Sequence, residues 1–400
     1  MTDPIGTTRK RFTEQDIKDV ASIQPQPGNA DDPVDFVGRH DVDEYALQRL
    51  RSGSNLLLTD PRRMGKTYWM KHLCATTDEY RPVYIDYEGV TSSEGFLIKT
   101  ASSLNSTALP NKVMNLLTGI FEKIEKIDLK LLTIQPGVKS RSPLELLTMI
   151  IDQLNAPDDG GLPWLICMDE VPLAILNISK HESPEAAGAL LQTLRSLRAN
   201  SSNIRWIVGG SIGFHHVLLQ AKSTEGELND LLDLPLGPLD PIDASELSCR
   251  LLAAITNMAE DGTIDAMVEC SSGIAHYLHA IAEMLANRKT TSLITPAMIR
   301  QAFQDYIEDP DRSRSSRHYE ERIDEYFGED SELAKSMLDY VASGQTTIAK
   351  LREAVTAGSR FSDVLYLLQR DHYLRREGEQ IRWRYEPLRI SWSHGRLLDI

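Results

Sequence analysis

The sequence predicts an α/β fold in which strands and helices alternate to build a parallel sheet. An all-helical region and a small C-terminal module of helices and a ribbon follow. Three observations carry this expectation. An apolar run, Leu56–Leu58, feeds a loop ending in Gly65–Lys66–Thr67, and a helical pattern begins at once through Tyr68, Trp69, Met70 and Leu73. A second apolar run, Leu165–Met168, ends in Asp169–Glu170. From about Pro241 the apolar spacing turns helical, until two short extended runs close the chain. Alternating strands and helices call for a parallel sheet that binds ligands at the carboxyl ends of its strands.

The first run carries the most chemistry. Between a strand and a helix, G-x-x-x-x-G-K-[ST] forms a phosphate-binding loop, and here Asp60 stands where the first glycine belongs. Gly65 lets the backbone approach phosphates, and successive N–H groups near the helix N-terminus, those of Arg63, Met64 and Tyr68 among them, form an anion-binding concavity. Lys66 would reach the β- and γ-phosphates of ATP, and the Thr67 hydroxyl would ligate Mg²⁺. Asp60 leaves two readings open. Its carboxylate turns away to accept backbone N–H groups or to pair with Arg62 or Arg63, or else it weakens nucleotide binding by repulsion.

Upstream lies Phe36–Val37–Gly38–Arg39–His40, followed by a helical pattern over Val42, Tyr45, Ala46 and Leu50. Downstream, Arg81–Tyr87 reads as a second strand parallel to the first, because a helix separates them. A mostly helical stretch runs from Phe96 to Leu154, with a charged solvated face at Glu122–Lys130 and a loop around Gln135–Ser142. The strand ending in Asp169–Glu170 supplies a metal-binding carboxylate and a base: Asp169 would hold Mg²⁺, mainly through water, and Glu170 would orient and deprotonate the attacking water. The alternative is a pair of acids capping the next helix. A fourth strand, Ile204–Val208, runs into Gly209–Gly210–Ser211, where Ser211 either senses the γ-phosphate or belongs to a tight turn.

Size and composition set limits. At 400 residues, with 41% hydrophobic and 25% charged residues, the chain has material for two or three domains. A net charge of −15 argues against a protein that coats nucleic acid over its whole surface, while leaving room for one basic module. The four cysteines (Cys74, Cys167, Cys249 and Cys270) are scattered and suggest neither a disulfide framework nor a zinc site. No segment is apolar for long enough to span a bilayer, and the polar N-terminus lacks the apolar core of a signal peptide. The expected location is cytoplasmic.

In order, Phe36–Gly38–Arg39, Pro61–Arg62–Arg63–Met64–Gly65–Lys66–Thr67, Met168–Asp169–Glu170 and Gly210–Ser211 resemble the archaeal-type ATPases. These belong to the AAA+-like, signal-transduction (STAND) branch of P-loop proteins and are related to origin-recognition ATPases. The resemblance spans roughly Pro33 to Ile400, loosely through Ser92–Gly160, and Asp60 departs from it. It implies a parallel-sheet P-loop NTPase core, a helical lid and a C-terminal winged-helix domain, and it places Phe36, Val37 and Gly38 near the adenine. The corresponding division is a flexible extension over 1–32, the core over 33–240, the lid over 241–310, and a linker with the winged helix over 311–400.

The lid would comprise Ala244–Asn257, Gly273–Asn287 and Pro296–Ile307. Its Ser271–Leu278 segment resembles the family's Gly-x-Pro helix start, with Ala275 in place of proline. Related initiators carry a nucleotide-sensing arginine near His276, which is either such a sensor or a packing residue. Asp309–Arg317 reads as a linker. Beyond it, Glu332–Val341, Thr347–Val355 and Phe361–Arg370 read as helices, Tyr373–Arg376 and Ile381–Tyr385 as ribbon strands, and Glu386–Trp392 as a last helix.

The ribbon carries Arg375, Arg376, Arg382 and Arg384, the place where DNA would dock. Its alternative use is as a clamp on the ATPase core or a protein contact, including self-association. Three functional readings follow: a cytosolic ATP-hydrolysing switch that moves lid and winged helix, a DNA-remodelling ATPase, and a nucleotide-locked scaffold without turnover. A neighbouring subunit could supply an arginine finger, an element typically contributing about 10³–10⁵ in rate, with Arg195, Arg198 and Arg205 as candidates.

Overall fold

The computed structural model describes residues 10–28, 32–107, 109, 113–115, 117–119, 141–156, 161–210, 213–288, 293–309, 314–355 and 358–398. Two compact units are formed: Asp41–Thr59 with Trp69–Pro235, and Met1–His40 with Asp60–Tyr68 and Leu236–Ile400.

The first unit is built on five strands: β1 (Asn55–Leu58), β2 (Arg81–Asp86), β3 (Trp164–Asp169), β4 (Ile204–Gly209) and β5 (Leu231–Asp233). Their order is β2-β3-β4-β1-β5, and every pair is parallel. Every residue of β1 and β3 is buried, as strands covered on both faces must be. At the edge, β2 alternates between buried and half-buried residues. It is parallel to β1 as expected but not adjacent to it, because two strands, β3 and β4, intervene. The register sets Asp86 of β2 opposite Asp169 of β3, and Met168 opposite Val208 of β4. Three residues long and with Leu232 and Asp233 exposed, β5 offered no apolar pattern to find in the sequence.

Helices Ser93–Asn105, Pro143–Asn155, Val171–His181 and Pro184–Asn200 accompany the sheet. Several start where sequence chemistry dictates. Ser142 and Glu145 form a reciprocal capping box, and Ser92 and Ser183 each accept an N–H of the first turn. Glu122–Lys130 and most of Gln135–Ser142 lie outside the described residues.

The second unit is largely helical. Helices Pro241–Ala253, Thr263–Ser271, Ala275–Asn287 and Pro296–Glu308 come first. Thr263–Ser271 was not anticipated. The helix Arg314–Phe327 replaces the end of the expected linker: Tyr319, Ile323 and Phe327, four residues apart, bury one face of an otherwise charged segment. Helices Ser331–Ala342, Ile348–Ala354 and Phe361–Arg370 then lead to β7 (Leu374–Glu377) and β8 (Gln380–Trp383), with β6 (Thr346–Thr347) pairing on the other side of β8. The final helix is Glu386–Gly395. Its Trp392 donates to Asp339 at 2.8 Å, and Trp383 donates to the Leu338 carbonyl at 3.3 Å.

One buried cluster runs through this unit from Ile17 and Ile23 to Trp392. Residues 10–28, expected within a flexible extension, are therefore packed: Ile17 and Ile23 are buried, and the Ile23 N–H reaches the Arg250 carbonyl at 3.0 Å. The two isoleucines, with Phe12 and Val20 partly buried beside them, anchor this mostly polar stretch to the unit's buried cluster.

Gly38 is fixed by its surroundings. It adopts φ 75°, and a Cβ there would lie 2.2 Å from the Asp243 carboxylate, which accepts the next N–H, that of Arg39, at 2.9 Å. Gly38→Ala is expected to destabilise this unit by about 2–4 kcal/mol through strain and crowding. An unchanged unfolding midpoint in a thermal melt would contradict this packing.

Candidate functional site

A candidate phosphate loop lies wholly in the second unit. Gly65 has φ 84° with open space where a Cβ would stand, so backbone conformation and not crowding requires glycine here. Lys66 and Thr67 then open the helix Lys66–Thr76. Lys66 is buried, and its Nζ donates to the carbonyls of Asp60 and of Pro61, the latter at 2.9 Å. Thr67 is exposed.

Asp60 follows the first of its two readings. Its side chain is buried, and its carboxylate accepts the N–H of Leu236 at 2.8 Å and of Gly237 at 3.1 Å. Arg39 grips the same dipeptide from the carbonyl side: its guanidinium donates to Leu236 O at 2.6 Å, to Gly237 O at 2.9 Å and to Met64 O at 2.8 Å. A carboxylate and a guanidinium thus bind the loop to the segment that leads into the helix Pro241–Ala253. Such charge-assisted bonds are the strong ones.

The residues expected near the adenine gather beside this loop. Phe36 meets Tyr68 edge-on with ring centroids 5.2 Å apart, the Tyr68 hydroxyl donates to the Asp32 carbonyl, and Val37 and Met64 are buried. Arg63 departs from simple expectation. It takes φ 78°, and its side chain turns towards Tyr277, Tyr306 and Tyr319, so the part of it that remains for phosphate is backbone.

The sheet unit carries its own candidate residues, a carboxylate pair at the carboxyl end of β3. Asp169 is buried. One oxygen accepts the Tyr84 hydroxyl at 3.0 Å and the other the Glu170 N–H at 3.0 Å. Burial, then the Asp169 charge, pushes the Tyr84 hydroxyl far above the ordinary phenol range, so Tyr84 stays a donor. Glu170 stands at φ 55°, a left-handed conformation that precedes the helix Val171–His181. Its side chain makes no capping hydrogen bond, so the alternative reading of a simple helix cap finds no support in this residue. Ser211 lies outside the described residues.

Tyr84 was not singled out by sequence reasoning. The signal was available in the expected β2 strand, because two parallel strands ending together bring Tyr84 opposite Cys167, two residues before Asp169.

The remaining candidates separate clearly. Arg198 is buried and committed to Asp230 at 2.7 and 2.9 Å and to the Glu227 carbonyl at 2.7 Å. Arg205 donates to the carbonyls of Leu50, Ser202 and Ile204. Arg195 is exposed. His276 takes the packing role: it shares a 2.8 Å hydrogen bond with the Tyr306 hydroxyl, and burial, then the charge of Arg63, holds it well below the usual histidine range.

Arg375, Arg376 and Arg382 are exposed, and the ribbon's own acids meet them. Glu377 pairs with Arg375 at 3.0 Å and with Arg382 at 2.9 Å, and Glu379 with Arg376 at 3.5 Å. Exposed pairs of this kind are weak, so the three cations remain exchangeable. Arg384 is only half-exposed and donates to the Tyr385 hydroxyl at 3.1 Å.

No family model matches the chain, and no curated protein matches it. Solved structures do. The Walker-type ATPase PABY2304 of Pyrococcus abyssi is similar at TM-score 0.62 and 15% identity, covering 94% of this chain and 99% of that one. The ORC2 protein of Aeropyrum pernix, solved in ADPNP–ADP complexes, is similar at TM-score 0.49 and 12% identity, covering 97% and 99%. At 15% identity the likeness to the Pyrococcus abyssi structure is one of fold alone: a parallel α/β unit joined in the same chain to a largely helical one. Among the described residues, no helix is long and apolar enough to cross a membrane.

The Asp60 geometry reverses a simple expectation from sequence. Restoring the motif's glycine by Asp60→Gly strips the buried Leu236 N–H and the part-buried Gly237 N–H of their acceptor, at a cost of about 1–3 kcal/mol. Denaturant unfolding of Asp60→Gly is expected to show that loss. A variant as stable as the natural chain would mean these contacts hold nothing.

Proposed function

We propose that this chain binds Mg-ATP and hydrolyses it slowly, as a switch that changes the position of its C-terminal helices and ribbon. The observation that carries the reading is the loop itself: left-handed Gly65, then Lys66 and Thr67 opening a helix directly after a buried strand of a parallel sheet. The first N–H groups of that helix have no partner within it and favour negative charge.

Each residue then has a role. The Lys66 ammonium, held by two loop carbonyls, would transfer to phosphate oxygens, a stronger charge-assisted partner. Phe36, Val37 and Gly38 would receive the base, and the N–H groups of Arg63, Met64, Gly65 and Tyr68 the phosphates. The Thr67 hydroxyl and the Asp169 carboxylate are hard oxygen donors of the kind Mg²⁺ takes, and the ion would neutralise phosphate charge. The Tyr84 hydroxyl would orient Asp169 by the bond it already makes. Glu170 would accept the proton of the attacking water, and Ser211, which follows β4 in the sequence, would sense the γ-phosphate. Arg195, exposed in the helix Pro184–Asn200, is the better placed of the three arginines to serve a neighbouring subunit.

The switch reading has its own support. His372, at φ 61° in the turn before β7, is held below the usual histidine range by burial first and by Arg384 next, and the charges of Asp60 and Lys66 also act on it. Asp60 acts on Tyr385 as well. The ribbon module is therefore in electrostatic range of the phosphate loop, which favours the clamp over a free DNA-binding wing. DNA docking through Arg375, Arg376 and Arg382 stands as the second reading, supported by their exposure.

Lys66→Ala is expected to lower Mg-ATP affinity by at least about 100-fold in a calorimetric titration, the loss of a charged phosphate partner. Glu170→Gln is expected to retain that affinity while multiple-turnover phosphate release falls by about 10²-fold or more. Equal turnover by Glu170→Gln and the natural chain would remove Glu170 from the mechanism. Total absence of turnover in the natural chain would leave the nucleotide-locked scaffold. For the second reading, fluorescence anisotropy with a short duplex should show salt-sensitive binding that Arg375→Ala, Arg376→Ala and Arg382→Ala together abolish. Binding that survives the triple change would place DNA elsewhere or nowhere.

A further inference from the structure

Arg63 belongs to the phosphate loop by its backbone and to the helical part of the same unit by its side chain. The backbone stands at φ 78°, a left-handed conformation that non-glycine residues adopt only when their surroundings over-determine it. Its guanidinium, meanwhile, is enclosed by the helical part of the unit. Three tyrosines act on it: Tyr319 from the helix Arg314–Phe327, Tyr277 from Ala275–Asn287 and Tyr306 from Pro296–Glu308. All three tyrosines are buried. Tyr306 is also bonded to His276 at 2.8 Å, and the Tyr277 hydroxyl meets Ser391 of the last helix at 3.3 Å.

Burial works against the charge of Arg63, and the tyrosine hydroxyls outweigh it, leaving the guanidinium firmly protonated. Yet the arrangement is under-satisfied. Among the described residues, Nη1 of Arg63 and the Tyr319 hydroxyl are buried without a hydrogen-bond partner. Hydroxyl dipoles are weaker partners for a buried cation than a carboxylate, so a small shift of the loop backbone changes which hydroxyls the guanidinium can reach. A long, planar, multi-donor side chain suits this task, because one displacement is felt on three helices at once.

We propose that Arg63 is the residue through which the phosphate loop reports its occupancy to the helices of residues 275–327. The inference rests on the nucleotide reading above and adds its regulation: the backbone of Arg63 meets phosphate, and its guanidinium carries the resulting shift into the tyrosine cluster. The Arg63 side chain thus acts by position, unlike that of Lys66, which would itself touch the nucleotide. The bistable element is the Arg63–tyrosine hydrogen-bond set, which has donors to spare and more than one way to pair them.

The test uses the full chain with Mg-ATP and Mg-ADP as probes. It reads affinity by calorimetry and amide hydrogen exchange over Ala275–Asn287 and Pro296–Glu308. In the natural chain, Mg-ATP is expected to change exchange in these helices by about tenfold, within the usual range of allosteric coupling. The double variant Tyr306→Phe with Tyr319→Phe keeps the rings, removes two hydroxyls and leaves the loop itself unaltered. It should bind Mg-ATP within about threefold of the natural chain and lose most of that change. A full exchange response in the double variant would overturn the proposal. So would a folded double variant whose affinity falls by about 100-fold, which would tie these hydroxyls to nucleotide binding itself while leaving the ATP reading intact. Absence of nucleotide binding by the natural chain would end both readings. If the double variant fails to fold, Tyr306→Phe alone removes one hydroxyl of the set, and a full exchange response in it would equally overturn the proposal.

Discussion

Two oppositely charged side chains gripping one dipeptide hold the nucleotide loop in place. Asp60 takes the N–H groups of Leu236 and Gly237, and Arg39 takes their carbonyls together with that of Met64. Much follows from this clasp. It fixes the loop from Asp60 to Lys66, it sets the segment that enters the helix Pro241–Ala253, and through the Asp243 contact with the Arg39 N–H it fixes Gly38 and the strip carrying Phe36 and Val37. A glycine at position 60 could supply none of these contacts, so its replacement by aspartate is a gain of structure at the position where the motif would expect only permissiveness.

The clasp also accounts for how the loop can tolerate a carboxylate. An unpaired buried charge beside a triphosphate would be costly, but a carboxylate accepting two backbone N–H groups is already satisfied. The nearby Lys66 ammonium rests on backbone carbonyls and so remains available to a stronger anionic partner. In the sheet unit, Asp169 is prepared in a parallel way, with Tyr84 and the Glu170 N–H each holding one oxygen.

Much of this was legible in the sequence because it depends on local pattern. The apolar strands β1, β3 and β4, the loop ending in Lys66–Thr67, the Asp169–Glu170 strand end and the C-terminal helices with their ribbon all announce themselves in periodicity and spacing. What stayed hidden depends on partners distant in the chain. The Leu236 and Gly237 contacts of Asp60 lie some 176 and 177 residues away, and the hydrogen bond from Tyr84 to Asp169 spans 85. The helix Arg314–Phe327 was obscured by its charge, since three buried residues in a polar segment resemble a linker more than a helix. Likewise Ile17 and Ile23 gave too sparse a pattern to reveal that the N-terminal segment is packed.

The central claim is that a loop with aspartate in place of its first glycine is a working nucleotide site, because the aspartate is occupied with the backbone. The most direct measurement is a calorimetric titration of the full chain with ATP in the presence and absence of Mg²⁺. The account expects saturable binding of one nucleotide per chain, tightened by Mg²⁺. A flat titration at protein and nucleotide concentrations that would reveal a dissociation constant of about 1 mM would contradict it.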